Sequence, residues 1–416
     1  MSPQTRSPGA TSPIVLPDSL VSWGAAHGPR APCTQPLSVL ACTMLAIIAV
    51  GLGPPGASAQ SPTTAESRLG PILTRYPGEF TQVISVREFA DGSVLVVDEH
   101  DETVAILRAG AAAPEFVVPR GSGPGEAWEM SRVWPLAADT SIMKDHSMRK
   151  LLLFVGARVA ATVGAFDSLG RLAARERLVG VDLQGGLYYS AFRRDGSGRA
   201  DIYDSTLVLR VDRARLTIDT VASLNSGFTR AAPPRVEAAG GPRGTARYSM
   251  VMEVPDQVAV FSDGTIAIAR TNPYRVDWCF PKGPCRIGSP IAANATDYSV
   301  ADKKALLELS AAQAIWPPTT NVDETVNWPV VRPPFRVWAR DFGAVLAAPT
   351  GELLVLRTPT ATAPGMSYDV IDRTHGLIGT ITIPSDERII AFGRGAVYIA
   401  TIDPDGIQRI VRRLWR

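Results

Sequence analysis

FADGSVLVVDEH, residues 89–100, sets an Asp-Gly turn ahead of four consecutive apolar residues and closes on an acidic cluster with a histidine. Four to six β-branched or aromatic residues between turn formers are a strand signal. The run is continuous rather than alternating, as expected of a strand covered on both faces. The same arrangement returns in FSDGTIAIARTN (261–272), APTGELLVLRTP (348–359) and FGRGAVYIATID (392–403). Weaker copies stand at AADTSIMKDHSMRKLLLF (137–154) and LQGGLYYSAF (183–192). A second strand type follows at hairpin distance, in TVAILR (103–108), KLLLFV (150–155), TLVLRVD (206–212) and YDVIDR (368–373). Each closes near a Gly or Asp that marks the next turn.

The spacing of the copies sets the architecture. Asp98 and Asp145 lie 47 residues apart, and Gly351 and Gly395 lie 44 apart. The 87 residues from Gly264 to Gly351 are too many for one unit. They hold a cysteine loop and then TDYSVADKKALLELSAAQAIW (296–316), which reads as one inserted helix near 298–314. Ser299 is its N-cap candidate, and Val300, Leu306, Leu307 and Leu309 form an apolar stripe. FTRAAPPRVEAAGGPRGTAR (228–247), rich in Pro, Gly and Ala, reads as an exposed insertion. With the insertions near 228–247 and 279–333 removed, the period is roughly 45 residues, the length of a four-stranded propeller blade. The expected fold is all-β: a six-bladed β-propeller over residues 79–416, following a linker at 60–78. The recurring apolar strand is expected to be the innermost of each blade, crowded against the axis. Radial closure would protect the sheet edges, and IQRIVRRLWR (407–416) would pair with a strand from 71–86 to complete one blade.

The N-terminal part has a different character. PLSVLACTMLAIIAVGLG (36–53) is uncharged and apolar, and PPGASAQ (54–60) follows it. Ala57-Ser58-Ala59 fits a signal-peptidase site, so residues 1–59 are expected to be a signal peptide with an extended leading region. A retained membrane anchor is the rival reading, since the run is close to the length needed to span a bilayer. Export, to the periplasm or beyond, places Cys279 and Cys285 in an oxidising compartment. An even pair this close, in WCFPKGPCR (278–286), is most simply a disulfide. It would contribute about 2 kcal/mol on the chain-entropy model. A redox or metal pair is the alternative, but the spacing is not CxxC.

A net charge of +2 and basic residues that are nearly all arginine, with no basic run interleaved with aromatics, give no reason to expect a nucleic-acid partner. RGSGPGE (120–126) has the glycine content of a phosphate loop, but Glu126 stands where a Walker motif needs Lys, and both flanks read as strand rather than helix. It is expected instead to be a corner from the outer strand of one blade to the next blade. HExxH and GxSxG are absent, FDSLG (166–170) lacking the first glycine of the latter. The sequon at Asn294 is read as incidental. Trp128, Trp134, Trp278, Trp316, Trp328 and Trp338 are scattered through loops and strand ends, where blade packing or a ligand surface would use them.

The FADGSVLVVD strand, the strand after it and the RGSGPGE corner together resemble exported bacterial six-bladed β-propeller proteins of the NHL-like kind. SYDVIDRTHGLIGTITIP (367–384) followed by GAVYIAT (395–401) carries the resemblance on to the end of the chain. It spans roughly residues 70–416 and implies fold and export rather than an activity, because members of that family are mostly uncharacterised. Propellers place sites at the mouth of the central channel. The candidate ligand-binding residues there are Asp98, His100, Asp145, His146, Asn272 and Arg357, with Asp403 at a corresponding point. The expected function is binding or scaffolding of a protein, peptide or glycan ligand by a monomer that needs no cofactor. The alternative is a metal-dependent hydrolase or lyase. In that reading, Asp98, His100, Asp145 and His146, a carboxylate and an imidazole from each of two blades, would hold Ca²⁺ or Zn²⁺; six-bladed enzymes include calcium-dependent lactonases, whose Glu, Asn and Asp set has no residue-by-residue match here, and the zinc-dependent amidating lyase. The mature chain carries only His100, His146 and His375, few for the lyase class, and the Asp residues equally suit turn capping.

Overall fold

The computed structural model describes residues 69–164, 177–192, 205–212, 215, 217–225, 250–251, 255–292, 298–312, 326–327, 334–335, 344–363 and 365–416. All lie in the unit Ser61–Arg416. The segment expected to be a signal peptide (1–59), the insertion at 228–247 and Asn294 fall outside the described residues.

Six antiparallel sheets form the ring of a six-bladed β-propeller. Blade 1 holds Val83–Glu88, Val94–Asp98, Thr103–Leu107 and Glu115–Val118. Blade 2 holds Met130–Pro135, Thr140–Asp145, Lys150–Val155 and Arg158–Gly164, and blade 3 holds Arg177–Val181, Leu187–Phe192, Ser205–Asp212 and Thr217–Asn225. Blade 4 has three described strands, Gln257–Val260, Ile266–Thr271 and Tyr274–Cys279. Blade 5 holds Val345–Ala347, Leu353–Leu356, Met366–Asp372 and Gly376–Ile383. Blade 6 is built from Glu387–Gly393, Ala396–Ile402 and Gln408–Trp415, with Leu69–Arg75 as its outermost strand.

That last pairing closes the ring, with Leu69 opposite Trp415 and Arg75 opposite Val411. The segment expected as a linker at 60–78 thus contributes a strand. Leu69–Arg75 is largely exposed, so it carries little of the apolar signature that marks the other strands.

One expectation about the repeat is corrected. The recurring apolar strand is the second of each blade, and the first strands stand at the axis, touching their counterparts in neighbouring blades. The second strand is apolar throughout because its two faces meet two different blades. In blade 1, Leu95 and Val97 pack toward Met130, Met143 and Phe154 of blade 2, while Val94 and Val96 pack toward Tyr398 and Ala400 of blade 6. Blade 3 repeats this, with Leu187 and Tyr189 facing blade 2 and Tyr188 facing blade 4. The period of two is present, but both phases are hydrophobic.

The RGSGPGE corner joins the outer strand of blade 1 to the first strand of blade 2, as expected. Gly123 N–H donates to Glu126 Oε2 at 2.7 Å, and Lys150 Nζ donates to the carbonyls of Ser122 (3.2 Å) and Gly123 (2.9 Å). The loop therefore wraps its own carboxylate. A Cβ on Gly121 would overlap Glu126 Oε2, which explains the glycine there.

The inserted helix spans Val300–Ala312. Ser299 caps it: its Oγ accepts from Asp302 N–H at 3.0 Å and donates to the Asp302 carboxylate at 2.8 Å. Val300 does not join an apolar stripe and is 73% exposed, because side chains in a first turn point back past the helix start. Cys279 and Cys285 are disulfide-bonded. Cys279 is buried against the blade 3–blade 4 core, while Cys285 is exposed.

Candidate functional site: the axial cavity

The first strands enclose a cavity of about 680 Å³ on the axis, lined from all six blades. Ser85 and Arg87 come from blade 1, Arg132 and Trp134 from blade 2, and Arg177 from blade 3. Gln257, Ala347 and Ala391 represent blades 4, 5 and 6.

Bulges aim these side chains. First strands shift register between Val83 and Ser85, Met130 and Val133, Leu178 and Gly180, and Ile389 and Ala391. An extra residue in one strand bends it and redirects its side chains. In blade 2 the shift leaves both Ser131 and Arg132 opposite Lys144, and Ser131 Oγ takes the Lys144 N–H at 2.9 Å. Arg132 is thereby set in the cavity wall. Ser85 stitches blades 1 and 2 at the axis: its Oγ accepts from Val133 N–H at 3.1 Å and donates to Val133 O at 3.4 Å.

Among the described residues the cavity lining holds three guanidiniums, Arg87, Arg132 and Arg177, and one carboxylate, Asp256. Arg87 donates to Ala138 O at 2.7 Å and Ser141 Oγ at 3.3 Å. Burial lowers its pKa, with Asp139 and Glu88 pulling the other way. Asp256 accepts from Asn225 N–H (2.8 Å), Thr271 N–H (3.1 Å) and Arg270 Nη1 (2.8 Å). Arg270 also donates to Asp277 at 2.8 Å. Burial works against the Arg270 charge, but the bonds to Asp277 and Asp256 outweigh it and raise its pKa. The charge of Asp256 is thus already matched.

The residues expected at the channel mouth occupy other positions. Asp98 and Asp145 end second strands, one strand out from the axis, and play equivalent parts in successive blades. Asp98 accepts backbone N–H groups from Thr81 (2.6 Å), Gln82 (3.1 Å), His100 (3.0 Å) and Asp101 (3.2 Å). Asp145 accepts from Trp128 (3.0 Å), Glu129 (3.4 Å) and Met148 (3.1 Å), and from Ser147 Oγ (3.1 Å). Each carboxylate ties the segment entering its blade to the turn between the second and third strands. His100 is exposed and His146 half-buried beside these clamps. Arg357 donates to Asp369 at 2.7 Å. Asp403 caps a turn by accepting from Asp405 and Ile407 N–H. Asn272 borders a separate hollow of about 450 Å³, which shares Leu224, Asn225 and Asp256 with the axial cavity. Of the expected residues only Asn272 lines a cavity described here, and none lines the axial one.

Among the described residues no three His, Cys, Asp or Glu side chains stand together as a metal-holding group. The Asp98 and Asp145 oxygens are engaged by the donors named above, so no metal-dependent step is derived from them. Of the tryptophans, Trp134 lines the axial cavity, Trp278 is buried between blades 4 and 5, and Trp128 stacks under Arg120 at 4.4 Å. Trp316, Trp328 and Trp338 lie outside the described residues. The cavity arginines escaped the sequence reading. Their signal was position: each sits in the first strand of its blade, just before the turn into the recurring apolar strand.

No helix among the described residues is long and apolar enough to cross a membrane. No family model and no curated protein matches the chain. Similar solved structures include a candidate exported protein from Bacteroides fragilis, with a TM-score of 0.46 and 10% identity, covering 84% of this chain and 96% of that one. A structural-genomics protein of unknown function from Bacteroides thetaiotaomicron has a TM-score of 0.40 and 11% identity, covering 86% and 75%. The calcium-binding protein regucalcin from Agrobacterium tumefaciens has a TM-score of 0.40 and 10% identity, covering 83% and 96%.

Proposed function

We propose that this chain is an exported, monomeric binding propeller that takes part of a glycan, peptide or protein ligand into its axial cavity. The carrying observation is the cavity itself. Its volume of about 680 Å³ lies within the range of small-molecule sites. Its lining combines an aromatic side chain, hydroxyls, an amide and guanidiniums on first strands that the ring holds rigidly. Residues 1–59 serve as the export signal in this reading, and the Asp clamps brace the blades.

The test is to probe glycan and peptide arrays with the labelled full chain, then repeat with Ala347→Trp. Ala347 lines the cavity, and an indole there would fill part of it. Binding that Ala347→Trp abolishes, with the melting temperature kept and the ligand recovered unchanged, supports the reading. Unaltered binding by Ala347→Trp overturns the axial site. Turnover of the bound compound overturns the binding role in favour of a hydrolase or lyase.

A further inference from the structure

We infer that the axial cavity takes the large apolar side chain of an uncharged peptide segment. This rests on the reading of the cavity as the binding site. The charges in its wall are already answered within the protein. Arg87 donates to Ala138 O and Ser141 Oγ, and the Asp139 and Glu88 charges offset its own. Asp256 is matched by Arg270, and Arg132 and Arg177 have contacts of their own. Hydrocarbon and neutral polar groups are what remain for a ligand to meet. Blades 5 and 6 contribute only 345–349 and 390–392 to the lining, and every one of those side chains is apolar.

A second observation comes from blade 3, across the ring from blade 6. The second strand ends on a buried residue in blade 1 (Asp98), blade 2 (Asp145), blade 5 (Leu356) and blade 6 (Ile402). In blade 3 it ends on Phe192, which lines the cavity and is 39% exposed. A ring left open where the repeat elsewhere buries its strand end is a departure of the kind that marks a site. Thr206 pairs with Phe192 across the sheet, and Ser190 lies two residues earlier on the same face. Both line the cavity, so the ring is flanked by two hydroxyls able to bond peptide groups. A neutral sugar would turn hydroxyls against 345–349 and 390–392, where they would go unpaired. A peptide segregates its hydrocarbon on a side chain and its polar groups on the backbone, as the cavity wall segregates its own.

The test is calorimetric titration of the full-chain protein with capped peptides acetyl-Gly-Ser-X-Ser-Gly-amide, X being Ala, Leu, Phe or Glu, and with maltotriose as a neutral sugar. Burying a phenyl ring in place of a methyl group should tighten binding at least about tenfold from the Ala to the Phe peptide. The heat-capacity change should be negative, and added salt should leave the preference unchanged. Phe192→Ala should remove most of the preference, while Phe192→Leu, which keeps an apolar side chain and guards against a folding defect, should retain most of it. Equal affinity for the Ala and Phe peptides, or preference for the Glu peptide or maltotriose, overturns the inference. Failure of every peptide to bind overturns it as well. A glycan captured on the arrays and lost with Ala347→Trp would then leave the axial binding reading standing, and no such capture would end both.

Discussion

Replacing Asp98 with alanine should be among the most damaging single changes in blade 1, although the side chain never reaches the axis. The carboxylate is 1% exposed and accepts four backbone N–H groups. Two of them, from His100 and Asp101, belong to exposed residues and can return to water. The other two, from Thr81 and Gln82, lie on the half-buried entry to the first strand. A hydrogen bond to a charged acceptor is worth roughly 1.5–3 kcal/mol, so losing those two costs about 3–4 kcal/mol near the lower end of that range. Asp98→Asn keeps one acceptor oxygen but turns an amide donor toward the other site, and should lose about half as much. The assay is urea unfolding at constant slope, with hydrogen exchange at the Thr81 and Gln82 amides to localise the effect. Asp145→Ala should behave alike, since its clamp is equivalent. A loss below about 1 kcal/mol for Asp98→Ala would refute the clamp argument. So would stabilisation of the unsubstituted chain, but not of Asp98→Ala, by added calcium or zinc, which would assign the carboxylate to a metal.

Three further predictions concern the scaffold. Gly180→Ala places a Cβ against Val260 where blades 3 and 4 meet, and overpacking of this kind costs about 1–3 kcal/mol. Val260→Ala should recover part of it in a double-mutant cycle, and strict additivity of the two would show that the contact is not the cause. Breaking the Cys279–Cys285 bridge, six residues apart in sequence, should lower stability by about 2 kcal/mol on the chain-entropy model. A Cys279→Ala/Cys285→Ala variant should then be insensitive to reductant, and sensitivity there would locate the effect elsewhere. Burial raises the phenol of Tyr188, assisted by the Asp182 charge, and burial raises that of Tyr368, each to about 12. Their folded pKa values exceed the unfolded one, so this contribution is complete below pH 10 and is lost as pH climbs to about 12. Phenolate absorbance should show delayed ionisation that Tyr188→Phe and Tyr368→Phe each reduce. Unchanged titration in both variants would contradict the assignment.

The legible part of the fold was the part with local causes. An Asp-Gly or comparable turn followed by a run such as Val94–Asp98 specifies a turn and a doubly covered strand through steric and hydrophobic preferences that act within a few residues. The spacing of those units gave the blade count, and the short loop between Cys279 and Cys285 gave the disulfide. The site residues were chosen by chemical type at the ends of the most visible strands. Asp98 and Asp145 are indeed equivalent, but their carboxylates face backbone amides rather than the axis. Arg132 was overlooked because a bulge decides where it points, and nothing in MSRVWP announces the shift. Arg87 and Arg177 sit in strands too short and mixed to stand out.

The sequence by itself determined which segments are strands, where they turn and how often the unit recurs, since backbone conformation and burial tendency are set by neighbouring residues. Tertiary structure alone decided which strand of each unit faces the axis and what lines it. That outcome depends on ring closure, which brings together groups as remote as Val83 N–H and Gln408 Oε1, 325 residues apart and 3.0 Å distant. Until such contacts form, no local preference separates the side chain that meets a neighbouring blade from the one that meets the cavity.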